Sequence, residues 1–359
     1  MEAMALRAVT VLVVTVLGLL VPGSASAAAP AVCRIGDDRL TEVSGLGVTR
    51  TGYVVVDDGS DDPAARRVFF LDRRCRVVRA VAYPARPRDT EDLAVGADGT
   101  VWVADIGDNN STRSTIALWR LAPGSRRPAL FRLTYPDGAH DAEALLLTPA
   151  GVPIVVTKTV GAAGVYVPVR ALTAGRATPL RRAGTVSVPL TGTSNPFGIP
   201  GHLVITGGAV SPDGRRAVLR TYADAFEYPV TGGDVVGAVT GGTPRAIALP
   251  DEPQGEAIAF RTDGAALLTV SEEANPTVRS YPLPDPPAPS AAVRPSAASS
   301  PAVPSSAARP RQGAPSPQAA PGTRRSGIPA GAVITGLILL CAAALLGFSM
   351  ARRRARRGR

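Results

Sequence analysis

Acidic side chains recur in this sequence at the ends of short apolar segments, and clustered carboxylates can bind a metal ion or transfer protons. The segment TEDLAVGADGTVWVADIGDN places Glu91 before one apolar run and Asp105, Asp108 and Asn109 after the next. Its central Asp-Gly turn predicts a β-hairpin, and a simple register sets Glu91 opposite Asp105. Like charges directly opposed across two strands are destabilising, so this pair needs a cation, a shared proton or an arginine between its carboxylates.

Two interpretations of this hairpin are open. Asp108 and Asn109 add hard oxygen ligands beside the facing carboxylates, which predicts a metal site better suited to Ca²⁺ than to zinc. Alternatively, Arg88 or Arg113 neutralises the pair, and the Asp and Asn residues only shape the loop. A one-residue β-bulge would shift the register and remove the facing arrangement.

The hairpin is one of five similar units along the chain. Each unit is anchored on a turn glycine, and these are Gly52, Gly99, Gly151, Gly214 and Gly264. Two apolar runs flank each glycine, a third strand follows, and the first four units add a fourth. Four strands in about 40–50 residues is typical of a propeller blade, whose two apolar faces are buried by packing blades around a channel. The sequence predicts an all-β β-propeller of five four-stranded blades, with six as the alternative count.

The last repeat lacks a fourth strand of its own. We expect the segment 32–35 to supply it and close the ring. Cys33 and Cys75 would then lie near one another, and two cysteines in an exported chain are most simply a disulfide. A β-sandwich is disfavoured because the inner strands lack polar and apolar alternation.

Placing the five hairpins around one axis brings their polar ends to one mouth of the channel. The residues predicted to bind a ligand there are Asp58, Glu143, Lys158, Arg220, Tyr222, Glu256 and Glu272. Lys158 and Arg220 either bind a phosphate or carboxylate group or form salt bridges with the surrounding glutamates. The mouth is therefore expected to be acidic, with two basic residues inside it.

Charge and motif content exclude two function classes. The formal charge of the chain is +10, yet residues 33–281 contain 27 basic and 27 acidic residues, so the predicted propeller is neutral. A neutral domain lacks the basic surface that nucleic-acid binding needs. Ser-His-Asp catalysis is disfavoured because His140 and His202 are the only histidines and no Gly-x-Ser-x-Gly segment is present.

The ends of the chain predict export and a membrane anchor. An apolar run followed by Ala-Ser-Ala indicates a secretory signal peptide, and a later uncharged stretch is long enough to cross a bilayer. Arginines directly after that stretch keep its end in the cytoplasm, so the protein is expected in the plasma membrane as a single-pass protein with its N-terminus outside. The predicted divisions are signal peptide 1–27, propeller 28–281, disordered Pro/Ala/Ser-rich linker 282–327, transmembrane helix 328–350 and basic tail 351–359.

Several short boxes in the predicted propeller resemble a known family. They are Glu42-Val-Ser-Gly-Leu46, Glu91-Asp-Leu-Ala94, Asp105-Ile-Gly-Asp-Asn109, Thr157-Lys158, Arg220-Thr-Tyr222 and Gly255-Glu-Ala257. Together they resemble exported bacterial β-propellers of an actinobacterial type and are more distantly similar to WD40-like, lactonase-type and phytase-like propellers. This resemblance implies a propeller fold, whereas activity does not follow from it, because propellers carry unrelated functions.

Two functions from different classes follow from these observations. The spacer and lone anchor favour a non-enzymatic, membrane-tethered binding module that presents the propeller to an extracellular protein, glycan or small anionic ligand. The alternative is a Ca²⁺-dependent hydrolase of the phytase-like or lactonase-like type. In that alternative the acidic mouth holds the metal, while Lys158 and Arg220 hold an anionic substrate.

Overall fold

A computed structural model describes residues 29–250 and 252–284 of the chain. The predicted signal peptide, the linker beyond residue 284, the apolar stretch 328–350 and the basic tail lie outside these residues. Within the described ranges, no helix is both long and apolar enough to cross a bilayer.

Twenty strands form the framework of the described residues, and after the first they run in order through successive antiparallel units. Strand β1 is Ala31–Arg34. The first unit contains β2 (Val43–Val48), β3 (Gly52–Asp57), β4 (Arg67–Asp72) and β5 (Val77–Ala82). The second contains β6 (Thr90–Val95), β7 (Val101–Asp105), β8 (Ile116–Leu121) and β9 (Ala129–Thr134). The third contains β10 (Ala142–Leu147), β11 (Pro153–Thr157), β12 (Ala163–Pro168) and β13 (Thr178–Val186).

The remaining strands form a fourth and a fifth unit. The fourth contains β14 (Gly207–Val210), β15 (Arg216–Arg220), β16 (Asp224–Pro229) and β17 (Arg245–Ala248). The fifth contains β18 (Gly255–Phe260), β19 (Ala266–Ser271) and β20 (Thr277–Pro282), and β1 pairs with β20 as its fourth strand. The prediction that an N-terminal segment completes the last unit is therefore confirmed. A short parallel pairing between β9 and β13 links the second and third units into one continuous sheet.

The first strand of each unit lies on the inside of the molecule. Strand β2 contacts β18 and β6, β10 contacts β6 and β14, and β14 contacts β18, so the five inner strands form a closed ring. Each of the five apolar core clusters combines side chains from two neighbouring units. For example, Val54 of the first unit packs in one cluster with Val103 and Trp119 of the second. Burial of apolar faces between units is the main stabilising term of this all-β, propeller-like fold.

The turn glycines behave largely as the sequence predicts. Gly99, Gly151, Gly214 and Gly264 have φ between +69° and +81°, a region that glycine enters without a Cβ clash. Gly52 is different, because it begins β3, and a Cβ placed there would lie 1.9 Å from the carbonyl oxygen of Leu71. The neighbouring strand, rather than the turn, requires glycine at this position.

Closure of the ring is reinforced covalently. Cys33 on β1 forms a disulfide with Cys75 in the turn between β4 and β5, with a Cα–Cα distance of 5.8 Å. This predicted disulfide is confirmed, and it ties the fifth unit to the first across the seam where the two ends of the sheet series meet.

Two short helices interrupt the strand pattern, and neither was predicted from the sequence. Helix α1 (Gly198–Leu203) lies in the long connection between β13 and β14, and α2 (Val235–Gly241) lies between β16 and β17. Helix α2 is capped by Asp234, whose side chain accepts a hydrogen bond from the backbone N–H of Gly237. Both helices lie in insertions that lengthen the fourth repeat without altering its strand order.

Candidate site at the mouth of the inner ring

Four of the five inner strands carry a register shift at the same relative position. In β2, β6, β10 and β18 the pairing skips one residue, and the skipped residues are Ser44, Glu91, Glu143 and Glu256. A bulged residue leaves the regular ladder, so its side chain is redirected relative to its neighbours. These repeated bulges explain how glutamates from three separate units reach one site.

The same bulge overturns the predicted facing of Glu91 and Asp105. Asp105 pairs instead with Thr90, because the register between β6 and β7 skips Glu91. The Asp105 carboxylate lies 2.9 Å from the guanidinium of Arg113 and accepts hydrogen bonds from Trp119 Nε1 and from the backbone N–H of Arg88. The arginine alternative left open by the sequence describes this pair, and Asp105 is not placed as a metal ligand.

Asp108 and Asn109 also do not join Glu91 in a ligand set. The Asp108 carboxylate accepts the backbone N–H groups of Thr112 and Arg113, which closes the loop after β7. The backbone N–H of Asp108 donates to the Asp141 carboxylate at 2.7 Å. Asn109 is half-buried in the same loop. These residues shape the connection between two units, as the second interpretation of the hairpin proposed.

A different group of carboxylates surrounds Glu91. Carboxylate oxygens of Asp58, Asp89 and Glu91 all lie within 4.8 Å of one another, and Glu91 is only 4% exposed. A Cβ at Gly107 would lie 1.9 Å from Glu91 Oε1, and one at Gly59 would lie 2.3 Å from Asp89 Oδ1. The backbone therefore approaches the carboxylates at two points where no side chain fits. We call Asp58, Asp89 and Glu91 the acidic triad.

The protonation of Glu91 reflects this crowding. Burial raises its pKa well above the ordinary value, and the charges of Glu143, Asp58 and Asp89 raise it further. A carboxylate in this position gains a proton or a cation more readily than a solvated one does. Asp58 and Glu91 were predicted as site residues from the sequence, whereas Asp89 was missed. Its only signal was its place two residues before Glu91 in an acidic run.

A half-buried lysine lies beside the acidic triad. Lys158 Nζ is 2.6 Å from Glu143 Oε1 and 5.7 Å from the centre of the Tyr222 ring. Tyr222 donates its hydroxyl proton to Glu256 Oε1 at 3.1 Å. Within the described part of the chain, Glu256 Oε2 is buried and has no hydrogen-bond partner. The mouth therefore contains an acceptor atom that a proton or a bound group could satisfy.

A further acid completes this side of the mouth. Gln254 donates a hydrogen bond to Glu272 and also reaches Glu256 Oε1 at 3.4 Å. Burial, with the charges of Asp58 and Glu42, raises the pKa of Glu272 to about 8.

Burial likewise raises the pKa of Glu143 to about 7, although Lys158 opposes this shift. Burial alone would lower the Lys158 pKa, but Glu143 and the other acidic groups raise it well above its ordinary value, so the ammonium persists.

Asp92 lies one residue beyond the Glu91 bulge and joins three inner strands. Its carboxylate accepts hydrogen bonds from the backbone N–H groups of Leu145 on β10 and Gly208 on β14, at 2.8 and 3.2 Å. It also accepts the N–H of Leu93 at 2.7 Å and is fully buried. Burial raises the Asp92 pKa, and these three N–H donors oppose that shift. Asp92 thus ties inner strands β6, β10 and β14 together.

Arg220 is not available to a ligand from solution. Its side chain is 0% exposed, lies 2.8 Å from the Glu252 carboxylate, and donates to the carbonyl oxygen of Ala257 at 3.0 Å. Glu252 also accepts hydrogen bonds from Thr269 and Tyr281. The salt-bridge alternative therefore describes Arg220, with Glu252 as its partner, a residue that the sequence analysis did not identify.

The long connection between β13 and β14 reaches the mouth. Phe197 packs on Tyr222 with a ring-centroid distance of 4.2 Å, and the backbone N–H of Tyr222 donates to the carbonyl oxygen of Gly201. Asp224 holds the base of this connection by accepting the hydroxyl protons of Thr191 and Thr193. The structure thus adds an aromatic wall beside Tyr222 that no sequence motif indicated.

Comparisons with known proteins add little to this geometry. No protein-family model matches the chain, and no curated protein matches it either. Among solved structures, a PQQ-bound aldose sugar dehydrogenase from Streptomyces coelicolor is similar at 10% identity and a TM-score of 0.37, over 70% of this chain and 99% of that one. A gluconolactonase from Xanthomonas campestris, XC5397, is similar at 15% identity and a TM-score of 0.39, over 72% and 96%.

A third structural neighbour is virginiamycin B lyase from Staphylococcus aureus, at 12% identity and a TM-score of 0.36, over 70% of this chain and 73% of that one. At these TM-scores and identities, the similarities carry no conclusion about the chemistry of this chain.

Proposed function

We propose that this protein is a divalent-cation-dependent hydrolase that cleaves a neutral ester or lactone at the mouth of a five-bladed propeller. The observation that carries the proposal is the convergence of Asp58, Asp89 and Glu91, whose ligand atoms lie within 4.8 Å of one another. This geometry favours the hydrolase over the pure binding module that the sequence analysis preferred.

The acidic triad suits a catalytic cation. Three carboxylates supply hard oxygen ligands of the kind that Ca²⁺, Mg²⁺ and Mn²⁺ prefer, and they leave coordination positions for water and substrate. When bound, such an ion would polarise a carbonyl group and lower the pKa of a coordinated water. Crowding already raises the pKa of Glu91, so a cation would relieve repulsion that the folded chain otherwise carries.

The residues next to the triad can handle the proton and the developing charge. Glu143 has a pKa of about 7, which suits a group that accepts a proton from water near neutral pH. Lys158 uses one of its three N–H donors on Glu143, so the others can stabilise negative charge on a substrate oxygen. Tyr222 lies beside Lys158, with its ring centre 5.7 Å from the ammonium nitrogen, and donates a hydrogen bond to Glu256.

The charges of the mouth favour a neutral substrate. Arg220 is buried against Glu252, and Lys158 is paired with Glu143, so neither basic residue offers an uncompensated charge to an anion. The surrounding carboxylates would repel a phosphate group. A lactone or uncharged ester therefore fits better than a phosphomonoester, and this choice separates the two hydrolase types considered from the sequence.

The test measures cation binding and turnover with the full-length protein. Thermal unfolding is followed with Ca²⁺, Mg²⁺, Mn²⁺ or chelator, and hydrolysis is assayed with a panel of lactones and phosphomonoesters. A cation at one hundred times its Kd should raise Tm by about 5–10 °C. Turnover should appear with lactones and disappear with chelator. Absence of any cation-dependent Tm shift would overturn the metal site, and turnover that persists in chelator would overturn its role.

Two variants locate the site. Glu91→Gln should abolish the cation-induced Tm shift and lower turnover at least about a hundredfold. Because glutamine avoids the cost of protonating this carboxylate or burying its charge, Glu91→Gln should also raise Tm in chelator, which a merely unfolded variant would not do. Glu273→Gln is a matched change at a half-buried glutamate that forms no hydrogen bond or ion pair within the described residues, and it should change neither the cation-induced Tm shift nor turnover.

We further propose that the hydrolase is held at the outer face of the plasma membrane. The support is the sequence alone: an apolar stretch at 328–350, a basic tail after it and a Pro/Ala/Ser-rich spacer before it. The boxes that resemble exported bacterial propellers agree with this placement. Protease added to intact cells should digest the propeller but spare an epitope placed in the basic tail. Protection of the propeller would contradict the proposed orientation.

A further inference from the structure

We infer that a second site, separate from the mouth, binds a small organic anion that carries a phosphate or carboxylate group. The site is a cavity of about 360 Å³ on the second unit, and we call it the arginine pocket. It is lined by Ala85, Arg86, Arg88, Asp105, Ser114, Thr115, Trp119, Leu130 and Arg132. This inference goes beyond the proposed hydrolase function and does not depend on it.

The pocket has a net positive charge. Arg86, Arg88 and Arg132 are all exposed, and within the described residues neither Arg88 nor Arg132 forms an ion pair. Arg86 pairs with Asp61, but both side chains are more than half exposed, and an exposed pair of this kind is weak. Guanidinium groups have a planar set of donors that matches carboxylate and phosphate oxygens.

The one acid in the pocket does not cancel this charge. Asp105 is already bound by the buried guanidinium of Arg113 at 2.9 Å and by Trp119 Nε1 at 3.2 Å. Its carboxylate also accepts the backbone N–H groups of Arg88 and Asp89. Arg113 therefore neutralises Asp105, and an anion entering the pocket meets Arg88 and Arg132, which form no ion pair within the described residues.

The remaining walls suit an organic body attached to the charged group. Trp119, Leu130 and Ala85 provide apolar surface, whereas Ser114 and Thr115 provide hydroxyl groups. Arg132 reaches Thr115 Oγ1 at 3.4 Å, a long contact that a ligand oxygen could replace. A cavity of about 360 Å³ is at the small end of the range for ligand sites, which fits a monosaccharide-sized anion.

The position of the pocket separates it from the acidic mouth. Arg88 lies at its edge, and the next residue, Asp89, belongs to the acidic triad. The chain thus changes from basic to acidic between two adjacent residues, with Asp105 fixing the backbone of both. An anion in the arginine pocket would lie outside the cluster of carboxylates that would repel it.

Isothermal titration calorimetry of the full-length protein tests this inference, with chelator present so that no cation occupies the mouth. The probes are glucose 6-phosphate, glucuronate and, as the uncharged comparison, glucose. Either anion should bind with a Kd below about 1 mM at low salt, glucose should not bind, and added NaCl should weaken the binding. Binding of one anion and not the other supports the inference and identifies the charged group. Equal binding of glucose, or no binding of either anion, overturns it.

Substitutions locate the binding. The double variant Arg88→Gln, Arg132→Gln should weaken anion binding at least tenfold. The double variant Arg88→Lys, Arg132→Lys should give an intermediate loss of affinity, because the positive charges remain while the planar guanidinium donors are removed. Arg126→Gln, at an exposed arginine on the same unit, should leave Kd unchanged. Undiminished binding in the folded glutamine double variant, or an equal loss in Arg126→Gln, would overturn the assignment.

Discussion

The carboxylate of Asp105 lies 2.9 Å from the guanidinium of Arg113, and both side chains are buried in the second unit. Arg113 also donates to the backbone carbonyl oxygens of Gly107 and Asp105. One arginine thus neutralises an acid and fixes the loop between the acidic triad and the arginine pocket. The pair belongs to the framework that separates two sites of opposite charge.

Removing the arginine of this pair should lower the stability of the fold. Arg113→Met leaves Asp105 buried without its counter-ion, and loss of one partner of a buried pair typically costs about 3–5 kcal/mol. The free energy of unfolding, measured with urea, should fall by that amount. Arg126→Met, at an exposed arginine of the same unit, should change it by less than about 0.5 kcal/mol. A small effect of Arg113→Met would show that the pair is not needed for the fold.

Gly255 should tolerate no side chain. A Cβ there would lie 1.6 Å from Nη2 of Arg220, whose guanidinium is held by the Glu252 carboxylate. Gly255→Ala must therefore displace a buried ion pair, and we expect a loss of at least about 3 kcal/mol in unfolding free energy. Gly241→Ala is the matched control, because no atom lies within 4 Å of a Cβ there and the residue ends helix α2. Comparable losses in both variants would contradict the clash.

The disulfide should stabilise the closed ring. The cross-link between Cys33 and Cys75 spans 42 residues, which corresponds to about 4 kcal/mol in the chain-entropy model. The double variant Cys33→Ala, Cys75→Ala should lose about 3–4 kcal/mol of unfolding free energy, and reduction of the unaltered protein should produce a similar loss. If reduction left the stability unchanged, the cross-link would have no part in holding the seam.

Stability should decrease as pH rises toward neutrality when no cation is present. The pKa of Glu143 is raised to about 7 and that of Glu272 to about 8, from an ordinary value of 4.5 in each case. Between pH 4.5 and these raised pKa values, the folded state binds more protons than the unfolded state. The stability that these two groups contribute below about pH 4.5 is therefore lost as pH rises through their folded-state pKa values. Unfolding free energy measured from pH 4.5 to 8 in chelator should show this decline.

Variants and cations provide the control for that pH profile. Glu143→Gln should flatten the decline, whereas Glu273→Gln should preserve it. Saturating cation should also flatten it, since a bound ion favours the ionised carboxylates. A stability that rises with pH over this range in chelator would contradict the raised pKa values of Glu143 and Glu272.

The strand repeat could be predicted from the sequence because its signals are local. Apolar runs around Gly99, Gly151, Gly214 and Gly264 identify hairpins without knowledge of their neighbours, and all four glycines have the expected positive φ. The closing strand and the disulfide followed from counting strands and cysteines. These features depend on patterns that lie within a few residues or within one repeat.

The site could be predicted only in part because it depends on contacts between units. Glu91, Glu143 and Glu256 were correctly placed on inner strands, but the bulges that redirect them leave no local sign in the sequence. Arg220 is buried against Glu252, which lies 32 residues later in the connection between the fourth and fifth units. A strand-by-strand register could therefore locate the inner-strand glutamates but could not identify which groups pair with one another.

The seam of the ring also determines how the protein would bear a load. Strand β1 pairs with β20, and the backbone N–H of Ser280 donates to the carbonyl oxygen of Pro30. A pull applied at residue 284 would thus act on the strand that β1 holds in place. Because the disulfide of Cys33 joins β1 to the first unit, tension applied at residue 284 would be transmitted to the first unit. It would not simply separate the strands of the fifth unit.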